Sequence, residues 1–261
     1  MRRDQIVVVT ALLVVAALAW GYTIWLAGGI GQNDMPDMPG MDMSGSGMQG
    51  AMSGPWTAAH FAFIFAMWAV MMVGMMTPTV TPMVLIYAGV ARHAGVGSGA
   101  IGPAGWFVTG YLSAWTLFAA VAALSQLGLE AIAQLTPMMA TRSRTVGGAV
   151  LLAAGVYQWL PIKDRCLYNC RSPLSFMQRF GGFQPSAAGS IRLGFLHGMY
   201  CVGCCWALMA LLFVMGVMSL LWIAALMILV LLEKVLPGGR LLSRVTGCAA
   251  IVGGAWMIWA G

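Results

Sequence analysis

The sequence predicts an all-α, polytopic integral membrane helix bundle of about seven transmembrane helices with its N-terminus inside. Three observations carry this reading. Only 8% of the 261 residues are charged and 61% are hydrophobic, against about 25% charged in an ordinary soluble domain. Several apolar stretches, among them Ile6 to Ile30 and Leu211 to Leu232, reach the ~20 residues that a helix needs to cross a ~30 Å hydrocarbon core. Backbone groups in lipid must pair within their own segment, which favours helices.

Taken in order, the expected spans are about 6–29, 57–90, 101–125, 145–162, 191–214, 217–233 and 245–260. Arg2 and Arg3 precede the first. Its apolar run exceeds the usual signal-peptide core and ends in no clean small-residue cleavage site, so 1–30 reads as an uncleaved anchor. Residues 31–55, rich in Gly, Pro, Ser, Asp and Met, bury too little apolar surface to order themselves and read as a flexible external segment. Residues 56–261 form the remaining six-helix membrane domain. Its second span overall is too long for one straight crossing, and Pro78 and Pro82 each remove a backbone donor, predicting a kink or a broken helix. A further external loop falls at about 126–144, and a cytoplasmic loop at 163–190 carries Cys166 and Cys170 between Pro161 and Pro173.

Charge fixes the orientation. With the N-terminus inside, Arg2, Arg3, Arg92, Lys163, Arg165, Arg171, Arg179, Arg192, Lys234, Arg240 and Arg244 face the cytoplasm, and Arg142 and Arg144 lie outside. This is the asymmetry of a multi-pass protein of the bacterial inner (plasma) membrane. The net charge of +6 is therefore topological. Spread over separate loops, it makes no basic patch for nucleic acid, and the expected partners are the lipid bilayer and a metal ion. Trp25, Trp56, Trp106, Trp159 and Trp259 sit near span ends, as interfacial aromatics do.

The external segment is methionine-rich: Met35, Met38, Met41, Met43, Met48 and Met52, interleaved with Asp34, Asp37 and Asp42. Thioether is a soft ligand that selects Cu(I). Methionine elsewhere fills gaps in cores, but a solvated segment broken by Gly and Pro has no core to fill. Within the second span, after His60, Met67, Met71 and Met75 recur every four residues on one stripe. The stripe reads either as packing methionine or as a path for a soft monovalent cation.

The fifth span reads Gly194-Phe-Leu-His197-Gly-Met-Tyr-Cys201-Val-Gly-Cys204-Cys205-Trp206. On a helix, His197, Cys201 and Cys204 fall within an arc of about 60°, with Cys205 beside it. A cysteine cluster with a histidine on one face is the most specific metal-binding signal in the chain. Small thiols packed for close helix approach, helped by the Gly194-x3-Gly198 spacing, and a redox-active Cys201-x-x-Cys204 pair are the competing readings. Cys166 and Cys170, flanked by Lys163, Arg165 and Arg171 that favour thiolate, either add to this cluster or complete a tetrahedral zinc site with two of its cysteines. Cys248 reads as packing, His93 as a solvated loop residue, and Glu233-Lys234 as a snorkelling helix end with room for an internal pair.

These stretches resemble a bacterial family of predicted metal-binding integral membrane proteins, domain of unknown function 2182. The likeness covers about residues 56–260. It rests on Met67-Trp-Ala-Val-Met-Met with the Thr77-Pro78 break, on Gly155-Val-Tyr157-Gln158-Trp-Leu-Pro161-Ile-Lys163 with Cys166 and Cys170-Arg171-x-Pro173, and on Gly198-x2-Cys201-Val-Gly203-Cys204-Cys205-Trp206. The resemblance implies metal binding. A looser similarity to eukaryotic copper importers, which join a Met-rich tail to a Met-x3-Met pore helix, is one of chemistry alone.

The expected function is Cu(I) acquisition or transport: external methionines collect the ion, Met67, Met71 and Met75 pass it inward, and His197, Cys201, Cys204 and Cys205 receive it. Copper is the expected ion, with silver and zinc as alternatives. A membrane copper chaperone that loads a copper enzyme is the second reading, and a thiol–disulfide electron carrier using Cys201 and Cys204 the third. No catalytic residue and no nucleotide-binding motif is recognised.

Overall fold

The computed structural model describes residues 3–31, 58–96, 101–131 and 143–260, and every regular element in them is helical. In order these are α1 (Arg3–Gly31), α2 (Ala58–Ala91) running into a π-helical turn at Arg92–Val96, α3 (Ile101–Ala131), α4 (Arg144–Tyr157), α5 (Pro161–Arg171), α6 (Pro173–Arg179), α7 (Ala187–Ala210), α8 (Leu212–Met215), α9 (Leu220–Val235) and α10 (Gly239–Trp259). The all-α class expected from composition is what the chain adopts.

Among the described residues, five helices are long and apolar enough to cross a membrane, or six when α4 and α5 count as one span bent by 64°. This count is lower than seven because α9 has 16 residues, about 24 Å at ~1.5 Å per residue, and falls short of the ~30 Å core. The bend has a local cause. Pro161 opens α5, and the residue before a proline is driven out of the helical region; Leu160 is extended, with φ −72° and ψ 140°.

The expected break in the second span is not seen, since α2 runs continuously through Pro78 and Pro82. Hydroxyls around the prolines bind helix carbonyls: Thr77 donates to Val73 O at 2.6 Å, Thr79 to Met76 O at 2.9 Å and Thr81 to Thr77 O at 3.1 Å. Such side chains help an apolar helix to tolerate proline.

The core sits where α2, α3, α7 and α9 meet, around the fully buried Trp68, Trp115, Tyr87, Tyr111 and Phe107. Pairing of α3 with α7 is the tightest contact. A Cβ on Gly198 would lie 2.6 Å from Ala114 Cβ and 2.9 Å from Tyr111 O, and one on Gly194 would run into Phe107 O. Glycine at both positions lets the backbones touch. On the outer surface, Leu18 and Val252 are 70% and 68% exposed, as expected of side chains that face lipid. Trp25, Trp106, Trp159 and Trp259 are also exposed, and Arg244 lies over the Trp159 ring.

The stretch expected as a cytoplasmic loop is largely α5 and α6, with α5 packed on α7. Lys163 does not point into solvent. It is buried, and its ammonium donates to Glu233 Oε2 at 2.9 Å and to Gln158 Oε1. A cation so placed needs a carboxylate partner, and the adjacent Glu233 and Lys234 divide accordingly: the acid turns to Lys163 and the base to the cysteines.

Candidate metal centre

Helix α7 carries the sulfur. His197, Cys201, Cys204 and Cys205 are all buried, and the Cys204 and Cys205 thiols each donate to Cys201 O at 3.0 Å. Close approach of α3 brings Tyr111 OH to 3.0 Å from Cys201 Sγ. From α9, Lys234 Nζ donates to Cys201 Sγ at 2.8 Å and to Thr79 Oγ1 at 3.1 Å. Thr79 lies 3.4 Å from Tyr111 OH and 3.9 Å from Met76 Sδ, so groups from three other helices surround one thiol.

Helix α5 adds two more cysteines. Cys170 is an electrostatic neighbour of Cys201 and Cys204. Cys166 packs so near Gly203 that an added Cβ there would lie 2.9 Å from its sulfur, and the Tyr157 hydroxyl, from α4, donates to Gly203 O. Thus the structure brings Cys166, Cys170, Cys201, Cys204 and Cys205 together, while Cys248 is exposed on α10. His197 Nδ1 is buried without a hydrogen-bond partner, its ring between Phe176 at 5.0 Å and Phe107 at 5.9 Å.

Among the described residues no three His, Cys, Asp or Glu side chains surround a common point as ligands around a metal would. The sulfurs pair instead with a carbonyl, a phenol hydroxyl and an ammonium. This is a concentrated store of soft donors. A zinc ion would need four ligands turned to one centre; Cu(I) accepts fewer.

The methionines of the expected stripe lie on one continuous helix, beside a second row. Met67, Met71, Met72, Met75, Met76 and Met83 are all buried. Helical geometry puts Trp68, Met72, Met76, Thr79 and Met83 within an arc of about 80°, and the contacts of Thr79 show that this arc faces Tyr111 and Lys234. Met67 lies toward the opposite side, near Gly74, where an added Cβ would meet Ala19 of α1 at 3.3 Å. Met71 and Met75 lie between. Met35, Met38, Met41 and Met43 fall outside the described residues.

Toward the start of α2, Trp68 Nε1 donates to Gln126 Oε1 at 2.7 Å, Gln126 Nε2 to Glu130 Oε1 at 2.9 Å, and His60 Nε2 meets Glu130 Oε2 at 3.1 Å. At the opposite side of the cluster, a cleft of ≈ 680 Å³ is lined by Arg165, Cys166, Arg179, Tyr200 and Arg240 among others. The half-buried Cys166 thereby lines the cleft and packs on Gly203, next in sequence to the buried Cys204. Sequence reasoning missed Lys234, Tyr111 and Thr79 as site residues, because none belongs to a motif. The Met72/Met76/Thr79 spacing was the one available signal.

No curated protein and no solved structure matches the chain. A family profile does: that of PpoB2, described as a copper chaperone, which matches residues 65–257. The match runs from within α2 to near the end of α10 and takes in every cysteine discussed above, which makes the role of the chain a copper-related one. On this match, covering most of its length, the chain belongs to the PpoB2 copper-chaperone family.

Proposed function

We propose that this protein is a membrane-embedded Cu(I) chaperone, which holds the ion on buried sulfur and passes it by way of Cys166 to a membrane copper enzyme. The supporting observation is the group of Cys201, Cys204 and Cys205, all buried on one helix, with the Cys204 and Cys205 thiols both turned to Cys201 O and the Lys234 ammonium 2.8 Å from Cys201 Sγ. Thiolate selects Cu(I), and burial shields the ion from competing aqueous ligands.

In this reading the protein lies in the bacterial inner membrane with its N-terminus inside. Counting the bent α4–α5 pair and the short α9 as crossings gives seven spans. The methionines of residues 35–52 then face the outside, where thioethers cannot form disulfides, and Cys166 and the arginine cleft face the cytoplasm. His197 is the neutral donor held in reserve.

Inward relay of Cu(I) is the second reading, and the buried Met72/Met76 face leading to Lys234 and Cys201 favours it. In detergent, the wild type is expected to hold Cu(I) stoichiometrically and a Cys201→Ser/Cys204→Ser variant to lose it. Copper-free protein that carries zinc, or a disulfide among these cysteines, would overturn the proposal. Liposomes decide between the readings: uptake of copper supports relay, and retention without uptake supports the chaperone.

A further inference from the structure

We propose that Lys234 is the built-in counter-ion of the copper centre and limits it to two cysteinates. The inference rests on the reading that this site holds Cu(I). Four charges or fewer decide it. Cu(I) bears one positive charge, each thiolate one negative charge, and the ammonium 2.8 Å from Cys201 Sγ a further positive charge.

With two thiolates the group is neutral. One thiolate leaves a net positive charge and three leave a net negative one, and either is unfavourable where Cys201 has no exposed surface. Among the described side chains each carboxylate has another partner. The chain has seven acidic residues. Asp4, Asp34, Asp37 and Asp42 lie at or beyond the ends of α1; Glu130 faces His60, Asp164 faces Arg240 and Glu233 faces Lys163.

Lys234 is also held where it can serve. Thr79 accepts from it at 3.1 Å, and Thr79 and Tyr111 are themselves 3.4 Å apart, so the ammonium keeps partners when the metal occupies the thiolate. Cys201 is one ligand, and the second is a neighbouring cysteine of the same helix, Cys204 or Cys205, each of whose thiols turns to Cys201 O at 3.0 Å. Balance follows. Cu(I) gives up the ligands that delivered it, one copper–sulfur bond forms to the Cys201 thiolate and one to the second sulfur, and the proton of that second thiol passes to bulk water. The pocket holds the same charge empty and loaded, and the thiol left over can take the ion onward.

The test uses the full chain in detergent, loaded with Cu(I) alone, and compares wild type with Lys234→Arg and Lys234→Gln. Copper K-edge absorption counts the sulfur neighbours, and competition with a chromogenic Cu(I) chelator gives affinity. Wild type and Lys234→Arg are expected to show two sulfur ligands at equal affinity. Lys234→Gln should lose about 100-fold or more in affinity, the effect of one uncompensated buried charge, or exchange one sulfur for a neutral nitrogen donor. Unchanged melting temperature of Lys234→Gln separates this from misfolding; if that variant does not fold, the sulfur count in Lys234→Arg and wild type still decides. Three thiolates in wild type, or two sulfurs at wild-type affinity in Lys234→Gln, would overturn the counter-ion role while leaving the copper function standing. A wild type that binds no Cu(I) removes both.

Discussion

Replacing Glu233 with Leu strands an ammonium inside the protein. Lys163 and Glu233 are 1% exposed each at the side chain, with Nζ 2.9 Å from Oε2. With an effective dielectric constant of about 20 their attraction is about 6 kcal/mol, opposed by a desolvation cost of several kcal/mol for each ion. The intact pair is therefore close to neutral in net effect, but loss of one partner costs about 3–5 kcal/mol. Gln158 alone remains to accept from Lys163.

Glu233→Leu and Lys163→Met are each expected to lower unfolding free energy in detergent by that amount. The double variant should come within about 1 kcal/mol of wild type, or exceed it, since an apolar pair of similar volume has no ions to desolvate. Equilibrium unfolding followed by tryptophan fluorescence, arranged as a double-mutant cycle, reads the coupling. The double variant should also bind Cu(I) as wild type does, because Lys234 still faces Cys201. Single variants that cost less than about 1 kcal/mol would refute the placement of Lys163, and with it the seating of α5 against α9.

Three further outcomes follow from the packing and the sulfur. Gly194→Leu forces α3 from α7 at Phe107 and is expected to destabilise the protein by at least about 3 kcal/mol, the scale of severe core overpacking, and to abolish Cu(I) binding; normal binding would show that Tyr111 need not touch Cys201. Cys166→Ser should retain Cu(I) affinity within about twofold but slow its transfer to an external thiol acceptor by about tenfold or more, measured by stopped flow; unchanged transfer would remove Cys166 from the route. Deletion of residues 35–52 should leave the affinity of the purified protein intact and reduce copper accumulation by cells at limiting supply; loss of affinity in vitro would place those methionines in the main site.

The fold class was legible because apolar composition and stretch length act through one constraint, the need to pair backbone groups in lipid. Span count was less so. The apolar run at 217–233 looks like any other crossing, yet α9 is only 16 residues long, and the turn after Tyr157 depends on Pro161 more than on hydropathy. Of the site, the α7 cysteines were visible because helical spacing alone places them on one face. Lys163 was read as a loop cation and Lys234 as a snorkelling helix end with room for an internal pair: nothing local to a lysine says that Glu233 or a thiol from another helix will meet it. The methionine stripe was legible as a stripe but not in its orientation, since period four continues on any face of a helix and only the positions of α1 and α3 decide which face looks inward.

The pairing of Cys201 with Lys234 also sets a schedule for biogenesis. The two positions are 33 residues apart, and at translation rates of about 5–20 residues per second the thiols of α7 precede their ammonium by about two to seven seconds. During that interval the thiols of α7 stand without the cover of α9 and without the ammonium that favours thiolate. Early copper capture or adventitious oxidation would strike there, so maturation of this protein should depend on how quickly its last two helices follow the ribosome into the bilayer.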